Sequence, residues 1–260
     1  MITSFIYNTD AALLCFLLFL GMLLLISAGY FLQLQSNLSQ QKTGVVEGAL
    51  FGLLGLILAF TFGMSGSRYE SRRLVIVEEA NAISTAYSRV DLYQSDSAKT
   101  ALSNYFKHYI NARIDNYEAG FNQQLQINTR AKADSIAKLI WNLTMQLSKQ
   151  PINYIPTMQM VPALNAMVDI VTSRESSLKS RVPDSILWLM FLMILSCSFL
   201  IGFSIPINKK ANIVSTIVFV LLSILVVFVI LDLDRPSRGL INLSDQIQLI
   251  VDLRKMIPNT

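Results

Sequence analysis

The chain has 260 residues, of which 53% are hydrophobic and only 15% are charged, and its formal net charge at pH 7 is +4. Soluble globular domains carry about 25% charged residues. The charges here crowd between long uncharged segments, which excludes an ordinary soluble protein and indicates an integral membrane protein. Basic residues beside the uncharged segments account for much of the positive charge, so no nucleic-acid partner is expected.

Four segments approach the ~20 apolar residues that a helix needs to cross ~30 Å of hydrocarbon. In chain order they are residues 11–32, 45–64, 185–205 and 213–231. Within the first segment, Ser27-Ala28-Gly29 loosely resembles a signal-peptidase site. However, Met1–Asp10 lacks Lys and Arg and the apolar run is too long for a signal peptide, so we expect a retained span.

The predicted fold is all-α, a four-transmembrane-helix protein with a helical insert between the second and third spans. The expected parts are a first transmembrane hairpin over residues 1–65, a helical region over 66–184, a second hairpin over 185–232 and a tail over 233–260. Four spans place both termini and the helical region on the same side of the membrane.

Basic residues near the span ends indicate which side this is. Seven lie on the side of the helical region: Arg68, Arg72, Arg73, Lys179, Arg181, Arg235 and Arg238. Three lie on the other side: Lys42, Lys209 and Lys210. Because basic residues favour the cytoplasmic side, the count predicts a plasma (inner) membrane protein with both termini and residues 66–184 in the cytoplasm.

The second span carries a stripe of small residues at spacings of three and four. Its members are Gly44, Gly48, Gly52, Gly55, Ala59, Gly63 and Gly66. They share about one third of the helix circumference. In lipid, such a stripe allows another helix backbone to approach closely, either within the subunit or around the axis of an oligomer. Since Ser67–Val90 contains no Gly or Pro, we expect the same helix to continue beyond the membrane.

Apolar residues at helical spacing predict three further helices before the third span. The first face comprises Leu102, Tyr105, Phe106, Tyr109 and Ile110, the second Ile136, Leu139, Ile140, Leu143 and Leu147, and the third Val161, Leu164, Val168 and Val171. Asp96 or Ser97 is the expected N-cap of the first, and Pro151 and Pro156 are expected to separate the second from the third.

Catalytic and metal-binding patterns are missing from the sequence. It contains no phosphate-binding loop, no HExxH, no GxSxG and no CxxC, so we expect no enzyme activity, cofactor or metal. The two cysteines, Cys15 and Cys197, fall inside spans and are interpreted as small apolar fillers. His108 has no second ligand or nucleophile to support it.

Two stretches of this sequence resemble a known family. The first runs from Gly52-Leu-Leu-Gly-Leu-Ile-Leu-Ala-Phe-Thr-Phe62 through Arg68-Tyr-Glu-Ser-Arg-Arg73 to Glu78-Glu-Ala-Asn-Ala-Ile-Ser-Thr-Ala-Tyr87. The second is Leu231-Asp-Leu-Asp-Arg-Pro-Ser-Arg-Gly-Leu240, just after the fourth span. Both are similar to the bestrophin-like domain family, mostly bacterial membrane proteins of unassigned function, and the arrangement of spans matches along nearly the whole chain.

The resemblance extends distantly to bestrophins, which are pentameric ion channels, mostly anion-conducting, with the second helix lining the pore. The resemblance implies that the protein self-associates in the lipid membrane. It also implies that small ions permeate it, with anions favoured. The pore and gate candidates are Glu47, Phe51, Phe62, Arg68 and Arg72. Dense aromatic residues at the bestrophin neck are replaced here by glycines with Phe51, Phe60 and Phe62.

Each candidate also has a plainer interpretation. The arginines can be interfacial anchors rather than a ring that concentrates anions, and Glu47 can reach the lipid headgroups. Glu79, in a polar run, can form an ion pair between neighbouring helices or line a vestibule. The alternative function is a non-conducting membrane scaffold or sensor whose cytoplasmic helices bind a partner.

The segment after the fourth span forms a tail motif of Asp232, Asp234, Arg235, Pro236 and Gly239. Eukaryotic bestrophins hold calcium with an acidic cluster at this point. Here only two acidic residues precede Arg235, and Pro236 interrupts the calcium-loop spacing. We therefore expect a helix exit and a structural turn, whose acidic residues pair with the arginines at the end of the second span, rather than a calcium site.

Overall fold

The computed structural model describes residues 5–35, 44–120, 122–205, 213–235 and 243–257. Within these ranges every regular element is helical, as predicted. The α-helices are α1 (Phe5–Asn8), α2 (Ala11–Gln35), α3 (Gly44–Ser88), α4 (Asp96–Glu118), α5 (Gln123–Leu147), α6 (Tyr154–Lys179), α7 (Asp184–Phe203), α8 (Ile213–Leu233) and α9 (Ser244–Asp252). Short 3-10 turns occupy Arg89–Leu92, Pro151–Asn153 and Leu253–Met256. Several residues named above lie outside the described ranges: Lys42, Lys209, Lys210, Pro236, Arg238 and Gly239.

Among the described residues, four helices are long and apolar enough to cross a membrane. They are α2, the first part of α3, α7 and α8, which confirms the four predicted spans. At 1.5 Å per residue, the 45 residues of α3 extend over about 68 Å, roughly twice the hydrocarbon thickness. The helix thus continues past its apolar run without a break, as far as Ser88.

The chain divides into two compact units, and the boundary falls within α3. The first unit comprises Met1–Tyr69 and Arg181–Ile241, and the second comprises Glu70–Ser180 and Asn242–Thr260. The first unit contains the spans, whereas the second contains α4, α5, α6 and the C-terminal α9. The end of the tail is thus part of the second unit.

In the first unit, α2 and α7 cross at two glycines. A Cβ atom at Gly29 would lie only 2.8 Å from the backbone nitrogen of Phe203. A Cβ atom at Gly202 would lie 2.9 Å from the Cα of Ile26 and closer still to its carbonyl. These contacts leave no space for a side chain at either position. The surrounding core includes Leu14, Met22, Met190, Ile194 and Val227.

In the second unit, helix ends differ slightly from expectation. The N-cap of α4 is Ser95, whose Oγ accepts a hydrogen bond from Ala98 N at 3.4 Å. The expected cap at Asp96 or Ser97 was wrong, because both residues lie in the first turn. Pro156 lies in the first turn of α6, where a missing N–H costs no helical hydrogen bond, so it does not interrupt the chain.

The buried faces of the second unit agree with the predicted pattern on α4 but not on α6. Leu102, Phe106, Tyr109 and Ile110 of α4 are all buried. On α6 the inward face is formed by Met160, Leu164, Met167, Val171 and Arg174, whereas Val168 is exposed. The predicted α6 face was therefore only partly right. Leu164 and Val171 are buried as predicted, but Met160, Met167 and Arg174 complete the buried face and Val168 is not part of it.

Candidate functional site

The helix α3 has two faces with opposite environments. One face is buried in the subunit and includes Leu54, Thr61, Ser65, Arg72, Ile76, Glu79 and Ile83. These residues recur at spacings of three, four and seven and form one continuous stripe. The glycine stripe lies about 120° around the helix from this buried stripe. The subunit interior and the glycines are thus on different faces.

The glycine face of α3 is not covered by any of the described residues of the subunit. A Cβ atom added at any of six positions would meet nothing within 4 Å: Gly44, Gly48, Gly52, Gly55, Gly63 and Gly66. Ala59 is likewise exposed. The sequence left open whether this stripe packs within the subunit or around an oligomer axis. The structure shows that it does not pack within the described part of the subunit.

Phe51 and Phe62 are placed differently. The ring of Phe51 is half-buried and packs edge-to-face against Phe219 of α8, with centroids 5.8 Å apart. Phe62 is 47% exposed. Phe62 lies eighteen residues, or about five full turns, after Gly44, so it stands at the edge of the glycine face. Of the two phenylalanines, only Phe62 is exposed enough for another molecule to contact it at the glycine face.

The three arginines after the second span, Arg68, Arg72 and Arg73, differ in burial and in their hydrogen-bond partners. Arg72 is only 2% exposed, and its Nη2 donates to the carbonyl of Ser180 at 2.7 Å. Its position at the carbonyl end of α6 satisfies acceptors that the helix leaves unpaired, which favours a packing role over a pore-mouth position. Arg68 is half-buried and donates to the Met64 carbonyl at 3.4 Å. Arg73 is exposed and pairs with Glu70 at 3.2 Å.

Helical geometry places the Glu70–Arg73 pair on the glycine face. Glu70 follows Gly52 by eighteen residues, and Arg73 follows Gly55 by the same distance, which is about five turns. Arg72 lies eighteen residues after the buried Leu54 and therefore belongs to the buried face of α3. Glu70 was not among the pore candidates predicted from the sequence, and Arg73 was considered only together with Arg68 and Arg72 as a ring of positive charge, although this periodicity sets Glu70 and Arg73 apart from Arg72.

At the opposite end of α3, Glu47 contacts α7. Its Oε1 accepts a hydrogen bond of 2.6 Å from the hydroxyl of Ser204, at the end of α7. The carboxylate therefore helps to join the two helices and is not directed only towards headgroups.

Glu79 forms the centre of a buried polar network in the second unit. Its side chain is fully buried, and its Oε1 accepts a hydrogen bond of 2.6 Å from Arg113 of α4. Its Oε2 accepts from the hydroxyl of Tyr117 at 2.8 Å and lies 3.9 Å from Arg174 of α6. The Arg174 guanidinium stacks on the Tyr117 ring at 3.7 Å. The ion pair between neighbouring helices is thus present, with α4 and α6 supplying the partners.

The charges in this network stabilise one another. Burial by itself would raise the pKa of the Glu79 carboxyl, but the charges of Arg113 and Arg174 outweigh it and hold that pKa below its usual value. Burial, with the nearby Glu79 charge, raises the pKa of Tyr117. Glu79 is therefore an anion at neutral pH, and Tyr117 remains a neutral hydrogen-bond donor.

The tail motif begins in a buried junction of the first unit. Asp234 is 2% exposed, and its carboxylate accepts hydrogen bonds from the hydroxyl of Tyr7 and from Val182 N, the latter at 3.1 Å. Arg235 donates to the carbonyl of Ile6 at 2.6 Å. The motif thus contacts the N-terminal turn and the residue Val182, whereas its predicted pairing with the arginines at the end of the second span stays a prediction. Its partners Tyr7 and Val182 carried no signal in the sequence.

Among the described residues, no group of three or more His, Cys, Asp and Glu side chains could hold a metal ion. Both cysteines are buried free thiols. The candidate site is a helix face and a set of helix junctions.

These features define a helical membrane protein with four spans, a long second helix and a helical region between the second and third spans. The family model described as Bestrophin-like domain matches residues 14–247. The chain therefore belongs to the bestrophin-like domain family, which confirms the resemblance of its motifs. No curated protein matches the sequence significantly.

Solved structures share the fold. A bacterial bestrophin homologue from Klebsiella pneumoniae, solved by Zn-SAD phasing, superposes with a TM-score of 0.70 at 16% identity, over 95% of this chain and 98% of that chain. A point mutant of the Klebsiella homologue gives a TM-score of 0.73 at 13% identity, over 95% and 99% of the two chains. A structure described only as a membrane protein gives 0.66 at 14% identity, over 96% and 99%. At these identities the likeness establishes the fold.

Proposed function

We propose that this protein is a homo-oligomeric ion channel in which α3 lines the pore. The observation that supports the proposal is the open glycine face of α3, where six added Cβ atoms would meet no described atom of the subunit within 4 Å. A glycine stripe that faces lipid adds no packing contacts between helices. The same stripe facing another helix permits close backbone packing. The resemblance to bestrophins suggests five copies around the axis.

In this assembly Phe62 is the candidate gate. It is exposed at the edge of the glycine face, so several copies would bring apolar rings together around the axis. An apolar ring of this kind closes a pore by excluding water. Phe51 supports the gate from behind, because its ring is engaged by Phe219.

The Glu70–Arg73 pair is the candidate pore mouth in place of Arg72. Both side chains are 48% exposed and continue the glycine face beyond the span. A ring of alternating charges at a mouth attracts and sorts small ions. The resemblance favours anions as the permeant species, and the exposed Arg73 would provide their attraction.

The experiment is ion flux from liposomes containing the purified protein. Phe62→Ala should raise flux, because it widens the apolar ring. Phe60→Ala is the matched control: it is 67% exposed but lies about 160° around the helix from Phe62, so flux should not change. Arg73→Glu should shift the reversal potential towards cations.

Assembly is tested by Gly52→Leu, which adds a bulky side chain to the open face and should reduce the oligomeric fraction in detergent. Ala49→Leu, exposed but off the stripe, should leave assembly unchanged. If neither wild type nor Phe62→Ala conducts above protein-free liposomes, the channel proposal fails. The alternative, a scaffold or sensor whose helices bind a partner, then takes its place.

A further inference from the structure

The N-terminal turn of the chain is fastened to the end of α8. The helix α1 has only four residues, yet Ile6 is buried in the core of the first unit. A single helical turn has no stability of its own in water, so its position depends on tertiary contacts. Those contacts come from Asp234 and Arg235, at the end of α8, and from Val182, just before α7.

The contacts form a closed set of hydrogen bonds. Asp234 accepts from the Tyr7 hydroxyl and from Val182 N, and the Tyr7 hydroxyl also lies 2.8 Å from the Val182 carbonyl. Arg235 donates to the Ile6 carbonyl, and the Arg181 guanidinium lies 4.6 Å from the centre of the Tyr7 ring. Hydrogen bonds to charged groups in a buried setting are among the strong ones. Three separate chain segments are thus joined at one point.

A divalent cation does not fit this arrangement. Calcium takes six to eight oxygen ligands. Here the Asp234 carboxylate already accepts from an O–H and an N–H group, and the Arg235 guanidinium brings a fixed positive charge into the same junction. A cation would have to displace these donors and overcome repulsion from Arg235. The calcium that the distant resemblance to eukaryotic bestrophins implies therefore does not fit the described residues of this junction.

We infer that Tyr7, Asp234 and Arg235 form a calcium-independent latch, in which side chains of the chain itself hold the N-terminal turn against the end of α8. The guanidinium of Arg235 supplies the positive charge, and the carboxylate of Asp234 supplies the negative charge. The latch is closed at every calcium concentration. It is independent of whether the protein conducts ions.

The first test is thermal unfolding of the purified full chain in detergent. Wild type in EGTA, in CaCl2 and in MgCl2 at matched ionic strength should give the same midpoint. Tyr7→Phe and Asp234→Asn should each lower the midpoint by several degrees, because each leaves a buried partner unsatisfied. Tyr154→Phe and Asp245→Asn, at exposed positions, are the matched controls and should leave it unchanged.

The second test distinguishes a latch from general loss of stability. Amide hydrogen exchange in Tyr7→Phe should accelerate at residues 5–10 and 180–184, while the interior of α7 keeps its protection. A saturable rise of the wild-type midpoint with calcium, abolished by Asp234→Asn, would overturn the inference by showing a cation site. Unchanged midpoints and exchange in both variants would also overturn it.

Discussion

At the scale of single residues, Glu79 is a buried charge with three described side-chain partners in the second unit. Arg113, Arg174 and Tyr117 all face it, so three side chains from two other helices converge on one carboxylate. Replacing a whole buried ion pair by apolar residues is often harmless, but removing one partner leaves the other charges uncompensated. The effect of a substitution here should therefore be large.

We predict that Glu79→Gln lowers the free energy of unfolding by about 3–5 kcal/mol at neutral pH, because it leaves Arg113 buried without its counter-charge. The matched control is Glu78→Gln at the exposed neighbouring position, which should change stability little. Thermal unfolding of both variants in detergent measures the difference. Equal midpoints for the two would contradict a structural role for the network.

The same network predicts a pH dependence. The folded pKa of Glu79 is lowered from its ordinary value of 4.5. The contribution of the Glu79 charge to the free energy of unfolding is therefore fully present above pH 4.5. It is lost as the pH falls below 4.5 through the folded pKa, because protonation then removes the charge that Arg113 and Arg174 require. The Glu79→Gln variant should lack this part of the acid-induced loss of stability.

At the scale of elements, glycine has opposite roles on α3 and at the α2–α7 crossing. Cβ atoms added at the α3 glycines would meet none of the described part of the subunit, whereas Gly29 and Gly202 lie against the backbone of the partner helix. Close backbone approach of this kind gives transmembrane helices good packing and weak Cα–H to carbonyl contacts. Glycine content alone therefore does not show which face of a span is already packed.

We predict that Gly202→Ala destabilises the first unit more than any alanine on the α3 stripe. Its Cβ would meet the backbone of Ile26, which cannot rotate away as a side chain would. Gly55→Ala, where the structure leaves open space, is the matched control for subunit folding. The folded fraction after extraction and the thermal midpoint are the measurements, and similar losses for both variants would contradict the close α2–α7 crossing.

Sequence patterns predicted the elements more accurately than their partners. Four spans and the long α3 followed from apolar runs and from the lack of Gly and Pro after Ser67, since both depend on local chemistry. Helical periodicity aligns Arg72 with Leu54 and Arg73 with the glycine stripe, but only contacts with other helices, such as that of Arg72 with the Ser180 carbonyl, show which of these faces is buried. Tyr7 and Asp234 are 227 residues apart in sequence, so local patterns could not pair them.

At the scale of the whole molecule, the two units divide the tasks. The first unit contains the spans, the open glycine face and the N-terminal latch, and the second contains the buried network around Glu79. The helix α3 contributes residues to both, and the proposed pore mouth at Glu70 and Arg73 belongs to the second unit. The orientation of the protein in the membrane decides which compartment the Glu70–Arg73 pair faces.

We predict that the helical region faces the cytoplasm, from the seven-to-three distribution of membrane-proximal basic residues. An impermeant thiol reagent added to intact cells should label Ser204→Cys, at the exposed end of α7, but not Ser97→Cys, exposed in the first turn of α4. Permeabilised cells should label both. The wild type is the background control, because its only two cysteines, Cys15 and Cys197, are buried. Labelling of Ser97→Cys from outside would reverse the orientation and place the Glu70–Arg73 pair on the outer side.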